Sequence, residues 1–310
     1  MSMNQSVLIC DQVNPVLNEI LEKNGLQITY EPEITPEQIL EKIENFEVII
    51  VRSRTKITKD MIEKANKCQI IARVGVGLDN IDQAAAKEKN IRVINAVEGA
   101  MNAVAELVLG LMLSLAREIP RADREVRNGN WIKKELMGTE LRGKYLGIVG
   151  LGNIGKRLGR LARALNMNII GYDVVPIDEE FSSEVGLMKA DLGTLLASSD
   201  YVSLHVPLLD STKHLINAEK MSTMKNTSRI INTSRGGVID EEALYEFLKD
   251  GKLGGAALDV FEVEPATSNK LASLPNFIST PHMGAQTKEA QSLAANVIAE
   301  KIIQILRGVT

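Results

Sequence analysis

The chain has 310 residues, 45% of them apolar and 25% charged, with a formal net charge of −4, the balance of a globular protein long enough for two ordinary domains. That charge leaves no basic face for nucleic acid or an anionic membrane. The N-terminus MSMNQSVLIC lacks the charged n-region and apolar core expected of a secretory leader, the apolar stretch Ala103–Ala116 carries Glu106 and is expected to be too short and polar to span a bilayer, and two cysteines, Cys10 and Cys68, fit a reducing cytoplasm rather than a disulfide scaffold.

Short β-branched runs alternate with amphipathic stretches, which predicts βαβ units and a mostly parallel sheet. Strands are expected at Val7–Cys10, Leu26–Tyr30, Val48–Val51, Ile70–Val74 and Ile91–Ile94, with helical patterns at Pro15–Lys23, Pro36–Ile43 and Lys59–Ala65. These suffice for a complete small α/β domain. Apolar residues at 104, 107, 108, 111, 112 and 115 then predict a long, largely buried helix over Ala103–Arg117, suited to a connector or a subunit contact. Beyond the only tryptophan, Trp131, a second series of strands is expected at Tyr145–Val149, Asn168–Tyr172, Tyr201–His205, Arg229–Asn232, Gly255–Val260 and Phe277–Thr280. Six strands with intervening helices match a dinucleotide-binding Rossmann domain. A last helix is expected over Thr287–Arg307.

The run GIVGLGNIG (147–155) supplies Gly150-x-Gly152-x-x-Gly155 between an apolar strand and a helix expected over Ile154–Leu165, with Asn153 and Ile154 among the expected cofactor-binding positions. In that setting the first glycine makes a tight turn, the second admits a pyrophosphate and the third lets helix meet strand. Amides at the helix N-terminus would meet the phosphates. Asp173, at the end of the next strand, is placed to take adenosine ribose hydroxyls and to repel a 2′-phosphate. Val174-Val175-Pro176 offers no compensating arginine, so NAD is expected as cofactor and no metal.

Three further segments end predicted strands: INTSRGGVID (231–240), ALDVFEVEP (257–265) and STPHMGAQT (279–287). Ligands of an open parallel sheet sit beyond the carboxyl ends of its strands, so Arg235, Glu264 and His282 can converge there. Taken singly, each has a plainer reading: a solvated charge, the start of a turn before Pro265, a structural histidine. His205 is read as shaping the cofactor pocket, and His214 as a surface residue at a helix start.

Together these segments resemble the D-isomer-specific 2-hydroxyacid dehydrogenases along nearly the whole chain. The likeness rests on VRSRTKIT, RVGVGLDNID, WIKKELMGTEL, LGIVGLGNIG, NTSRGGVIDEEAL and PHMGAQTKEAQ. Within the family they are most similar to members that oxidise D-3-phosphoglycerate. The resemblance implies an α/β fold of two domains, with a Rossmann domain (99–285) inserted in a flavodoxin-like substrate domain (1–98 and 286–310). It implies that Arg235 grips the substrate carboxylate and C2 oxygen, that His282 is the acid–base, and that Glu264 orients it. It further implies that Asp259 meets the nicotinamide carboxamide and that Val206, Pro207, Thr233, Ser234, Gly284 and Ala285 line the cofactor.

The turn around Val76 and Gly77, with glycines at 75 and 77, is expected to offer free amides to a carboxylate. Arg52, Ser53, Arg54 and Thr55 would suit a phosphate, with Lys133 and Lys134 as further charge; a solvated basic turn is the plainer alternative. The resemblance also implies domain closure over the substrate and a homodimer through the long helix and the Trp131 segment. The expected reaction is NAD-dependent oxidation of D-3-phosphoglycerate to 3-phosphohydroxypyruvate. Reduction of glyoxylate, hydroxypyruvate or another 2-keto acid is a second enzyme reading, and an NAD-sensing corepressor is a reading from another class. The end at Thr310 is expected to leave no room for a C-terminal regulatory domain.

Overall fold

A computed structural model describes residues 4–308. The chain forms two compact units, residues 1–101 with 285–310, and residues 102–284.

In the first unit, β1 (Ser6–Ile9), β2 (Gln27–Tyr30), β3 (Val48–Val51), β4 (Ile70–Arg73) and β5 (Arg92–Asn95) make one parallel sheet ordered β2-β1-β3-β4-β5. This is the flavodoxin-like order. Every residue of β3 is buried, because helices cover both faces of a parallel sheet, and the strand therefore reads as an unbroken apolar run. One face carries Val7, Ile9 and Ile50 against Leu17 and Leu21 of the helix Val16–Lys23 and against Ala295, Ile298 and Ile302 of the last helix, Lys288–Leu306. The other carries Leu8, Ile49 and Val51 against Ile39, Met61 and Ile62. Lys301 Nζ ties the last helix down by donating to the Asn95 carbonyl (2.9 Å) and to Glu98. Both cysteines lie buried in this unit, and burial pushes each thiol up to about 12. Neither is a thiolate at neutral pH.

In the second unit, β6 (Tyr145–Val149), β7 (Asn168–Tyr172), β8 (Met188–Lys189), β9 (Tyr201–Leu204), β10 (Arg229–Asn232), β11 (Gly255–Leu258) and β12 (Phe277–Ser279) form a sheet ordered β12-β11-β10-β9-β6-β7-β8. The order β8-β7-β6-β9-β10-β11 is the Rossmann order, extended by β12, and its topological switch point lies between β6 and β9. The seventh strand, β8, is absent from the expected set. It is two exposed residues long, too short to show a period-2 alternation.

The long helix starts at Val97, not Ala103, and runs to Arg117; the unit boundary falls inside it. At that length it is long and apolar enough to cross a membrane by composition, which corrects the expectation that this stretch is too short. Its buried side chains instead build the core of the second unit: Ala105, Val108, Leu111, Met112 and Leu115 meet Leu146, Ile148 and Leu158. An unanticipated helix, Ile119–Arg127, follows directly and buries none of its residues.

Candidate active site

The glycine fingerprint sits at the switch point. Gly150 has φ +92°, and a Cβ there would lie 2.4 Å from the His205 carbonyl oxygen, so the loops after β6 and β9 meet without room for a side chain. A Cβ on Gly155 would lie 2.1 Å from the Gly150 carbonyl oxygen, which is why helix and strand pack only with glycine there. The helix Asn153–Ala164 opens with Gly152 as N-cap and no side-chain cap, leaving the amides of its first turn unsatisfied. Nothing lies within 4 Å of a Cβ built on Gly152. The Thr233 hydroxyl is buried with no hydrogen-bond partner among the described residues. An uncapped helix start, open space above the second glycine and an orphaned donor together fit a dinucleotide pyrophosphate and its neighbouring groups.

Asp173 Oδ2 accepts from the Leu151 amide (2.6 Å) and Oδ1 from the Val175 amide (3.1 Å), which places the carboxylate against the fingerprint loop. Val206 lies beside Gly150, its Cγ1 3.1 Å from where a Cβ would be. Pro207 is exposed, and its carbonyl accepts from the Thr212 hydroxyl (2.6 Å). Ser234 is committed within the chain, its amide and hydroxyl both donating to Asn232 Oδ1. His205 is partly buried, with Ser203 Oγ 2.9 Å from its Nε2, and burial pushes its pKa down to about 4. It is therefore neutral at pH 7.

Arg235, Glu264 and His282 follow β10, β11 and β12, three adjacent strands. The turn after Arg235 is pressed onto the loop before Glu264: a Cβ on Gly236 would lie 1.8 Å from the Phe261 carbonyl oxygen. Arg235 Nη1 donates to the Ser234 carbonyl (2.6 Å), and its own carbonyl accepts from Asn232 Nδ2 (2.8 Å). His282 Nδ1 donates to Glu264 Oε2 at 2.8 Å, while Glu264 Oε1 accepts the Phe261 amide at 3.1 Å. A carboxylate fixed from both sides sets the imidazole tautomer and leaves Nε2 to exchange a proton outward.

His282 adopts φ +51°, a left-handed conformation unusual for a residue with a Cβ. The buried carboxylate of Asp259 stabilises that turn. Its Oδ1 accepts from the Thr280 hydroxyl (2.5 Å) and the Met283 amide (2.9 Å), and its Oδ2 from the Gly284 amide (2.9 Å). Asp259, expected at a cofactor carboxamide, thus spends three of its acceptor sites on the histidine loop. Gly284 closes the second unit and Ala285 opens the return to the first.

In the first unit, Arg52 and Arg54 separate. Arg54 is fastened inward: Nε faces Asp11 Oδ1 at 3.2 Å, Nη1 donates to the Ile34 carbonyl, and Nη2 to those of Cys10 and Pro32. Four acceptors of its own chain thus engage most of the guanidinium that was expected to meet a phosphate. Asp11, itself buried, also receives the Arg52 amide (2.5 Å) and the Thr55 hydroxyl (2.6 Å). The half-buried Arg52 guanidinium has no hydrogen-bond or ion-pair partner among the described residues, and burial lowers its pKa. Ser53 is exposed. The amides of Val76 and Gly77 donate to nothing among the described residues, although neither Gly75 nor Gly77 has positive φ; the Arg73 side chain instead holds this turn by donating to the Gly77 carbonyl. Lys133 and Lys134 lie in a short exposed 3₁₀ turn.

His214 is the residue whose position the sequence concealed. It does not start a helix, since Asn217 caps the next one. It has φ +49°, its amide donates to the Gly237 carbonyl (2.7 Å), and its Nε2 donates to Glu262 Oε1 (3.0 Å). Positive φ favours Asn, Asp, His and Gly, and that preference was the only local signal available.

The family model described as "D-isomer specific 2-hydroxyacid dehydrogenase, NAD binding domain" matches residues 109–284. The chain is 47% identical over 303 residues to a D-3-phosphoglycerate dehydrogenase of Methanocaldococcus jannaschii, spanning 97% of this chain but only 57% of that relative. It is equally 47% identical to a hydroxypyruvate reductase of Thermotoga maritima, spanning 93% of each. Among solved structures, a glyoxylate reductase from Paecilomyes thermophila superimposes with a TM-score of 0.89 at 30% identity, covering 97% of this chain and 95% of that one.

Proposed function

The chain belongs to the D-isomer-specific 2-hydroxyacid dehydrogenase family, and from that premise we propose that it oxidises D-3-phosphoglycerate to 3-phosphohydroxypyruvate with NAD. The observation that carries the reaction class is the 2.8 Å contact between His282 Nδ1 and Glu264. When bound, NAD supplies the acceptor for the hydride leaving C2. His282 Nε2 takes the proton of the C2 hydroxyl as the carbonyl forms, and returns it in the reverse direction. Glu264 holds the imidazole in the tautomer that allows this and offsets the positive charge it gains. Arg235 binds the carboxylate and the C2 oxygen, for which a planar guanidinium with paired donors is suited and a lysine is not. The uncapped turn at Gly152, Asn153, Ile154 and Gly155 would hold the cofactor phosphates, Thr233 would line the cofactor, and Asp173 would take the ribose hydroxyls and disfavour NADP.

For the first unit, the proposal gives the phosphate to Arg52, a half-buried cation whose guanidinium has no partner among the described residues, and a carboxylate to the Val76 and Gly77 amides. A homodimer belongs to the same reading. Trp131 and Met137 are 82% and 87% exposed, and the adjacent helix Ile119–Arg127, with Ile119 and Val126 outward, has no buried face. Such apolar exposure marks an interaction surface.

A second reading, reduction of hydroxypyruvate or glyoxylate, draws support from the hydroxypyruvate reductase matched over 93% of each chain and from the inward use of Arg54. The deciding experiment is a steady-state panel of phosphoglycerate, glycerate, hydroxypyruvate and glyoxylate with NAD(H) and NADP(H). The proposal expects the highest kcat/KM on the phosphorylated pair with NAD, and a loss of about 1000-fold or more in kcat for His282→Asn with NAD binding intact. Hydroxypyruvate turnover that exceeds the phosphorylated pair supports the second reading, and background rates on all of them would remove both.

A further inference from the structure

Glu262 and Glu264 alternate along one loop, and each is paired with a histidine. Glu264 holds His282, and Glu262 Oε1 accepts from His214 Nε2 at 3.0 Å. The second pair is part of a larger brace. The Glu262 amide donates to Glu241 Oε1 at 2.6 Å, the Glu241 amide donates back to Glu262 Oε1 at 3.3 Å, and Glu241 Oε2 accepts from Asn269 Nδ2 at 2.7 Å. Burial, with Glu262 and Glu264 nearby, raises the Glu241 pKa. The His214 amide meanwhile donates to the carbonyl of Gly237 (2.7 Å), in the turn that carries Arg235. Two positions on, Ile216 and Ile239 form a parallel bridge that continues this seam.

We propose that His214 is a positioning residue: by joining Gly237 to Glu262 it locks the Arg235 turn and the Glu264 loop into one register, and so sets the Glu264–His282 contact. This inference rests on the catalytic reading of Glu264 given above. The physical case is the cost of the arrangement without such a role. His214 pays for a left-handed backbone, and two carboxylates, Glu262 and Glu241, are held against each other around a single loop. The imidazole donor is the side-chain hydrogen bond that offsets that repulsion at Glu262 Oε1. Glu262 itself stands two residues from Glu264 on a loop with no regular structure, so a rotation at Glu262 is carried to Glu264. A displacement on the order of 1 Å at a proton-transfer site costs up to about 100-fold in rate.

The test uses hydroxypyruvate reduction by the full chain, with NAD affinity measured separately. His214→Asn tolerates the left-handed backbone but is too short to reach Glu262, whereas His214→Gln places an amide near the position of Nε2. The expected result is a drop in kcat of about tenfold for His214→Asn, little change in NAD affinity, and recovery of most of the rate in His214→Gln. Glu262→Gln, which keeps its backbone hydrogen bonds, should lower kcat less than His214→Asn does. In a double-mutant cycle the His214→Asn effect should vanish on a Glu264→Gln background. An undiminished effect on that background, or no effect of His214→Asn on the otherwise intact chain, overturns the inference and leaves the catalytic reading standing. A Glu264→Gln variant with unaltered kcat instead overturns the catalytic reading, and the inference with it.

Discussion

Acidification should destabilise the second unit through one histidine. His205 lies at the switch point, its carbonyl against Gly150 and its Nε2 beside the fully buried Ser203, and burial pushes its pKa from 6.5 down to about 4. In the unfolded chain the same imidazole titrates near the ordinary value. A depressed folded-state value means that the unfolded state binds the proton first. The stability involved is complete above about pH 6.5 and is lost as pH falls toward about 4. At about 1.36 kcal/mol per pH unit, the full gap is worth roughly 3 kcal/mol, of which about 2 kcal/mol is lost between pH 7 and about pH 4.5. The perturbation is His205→Gln, which keeps a polar atom near Nε2 for Ser203 but cannot take up a proton. Urea unfolding of both proteins at the two pH values gives the comparison. Carboxylates held down by their own hydrogen bonds, such as Asp191 under the Thr194 amide it caps, contribute equally to both and cancel. The expected outcome is a stability difference between wild type and variant that narrows by about 2 kcal/mol on acidification. Parallel pH courses for the two proteins would refute the reasoning.

Three further outcomes follow from the geometry. Arg54→Ala, which strips an ion pair from buried Asp11 and donors from three carbonyls, should cost about 2 kcal/mol in urea unfolding and affect phosphorylated and unphosphorylated substrates alike. Arg52→Ala should leave stability nearly unchanged and weaken only the phosphorylated pair; equal losses on both would remove Arg52 from phosphate binding. Light scattering should give the mass of two chains, and Trp131→Glu with Met137→Glu should lower it toward one. A single-chain mass for the unaltered protein would exclude the dimer.

The two parallel sheets, the fingerprint and the segments bearing Arg235, Glu264 and His282 were legible in the sequence because their signals are short-range. A β-branched run bounded by turn residues, a glycine spacing after a strand, or a histidine at a strand end is read within a dozen residues. β8 escaped because two exposed residues carry no periodicity, and the long helix was shortened because Glu98 and Asn102 interrupt its apolar face at the N-terminal end. Beyond the Glu264–His282 contact that the family resemblance implied, side-chain destinations were not legible. Arg52 and Arg54 are chemically alike and two positions apart, yet one clamps Asp11 and three carbonyls and the other has no partner among the described residues. Asp259 belongs to a strand-end motif, but its oxygens serve a loop more than twenty positions on. His214 looks like a surface residue until Gly237 and Glu262 are brought to it. Local pattern decides where strands and helices form, because backbone geometry repeats over short distances. Which donor meets which acceptor depends on how distant loops stack at the carboxyl ends of the strands, and only the folded chain brings those loops together.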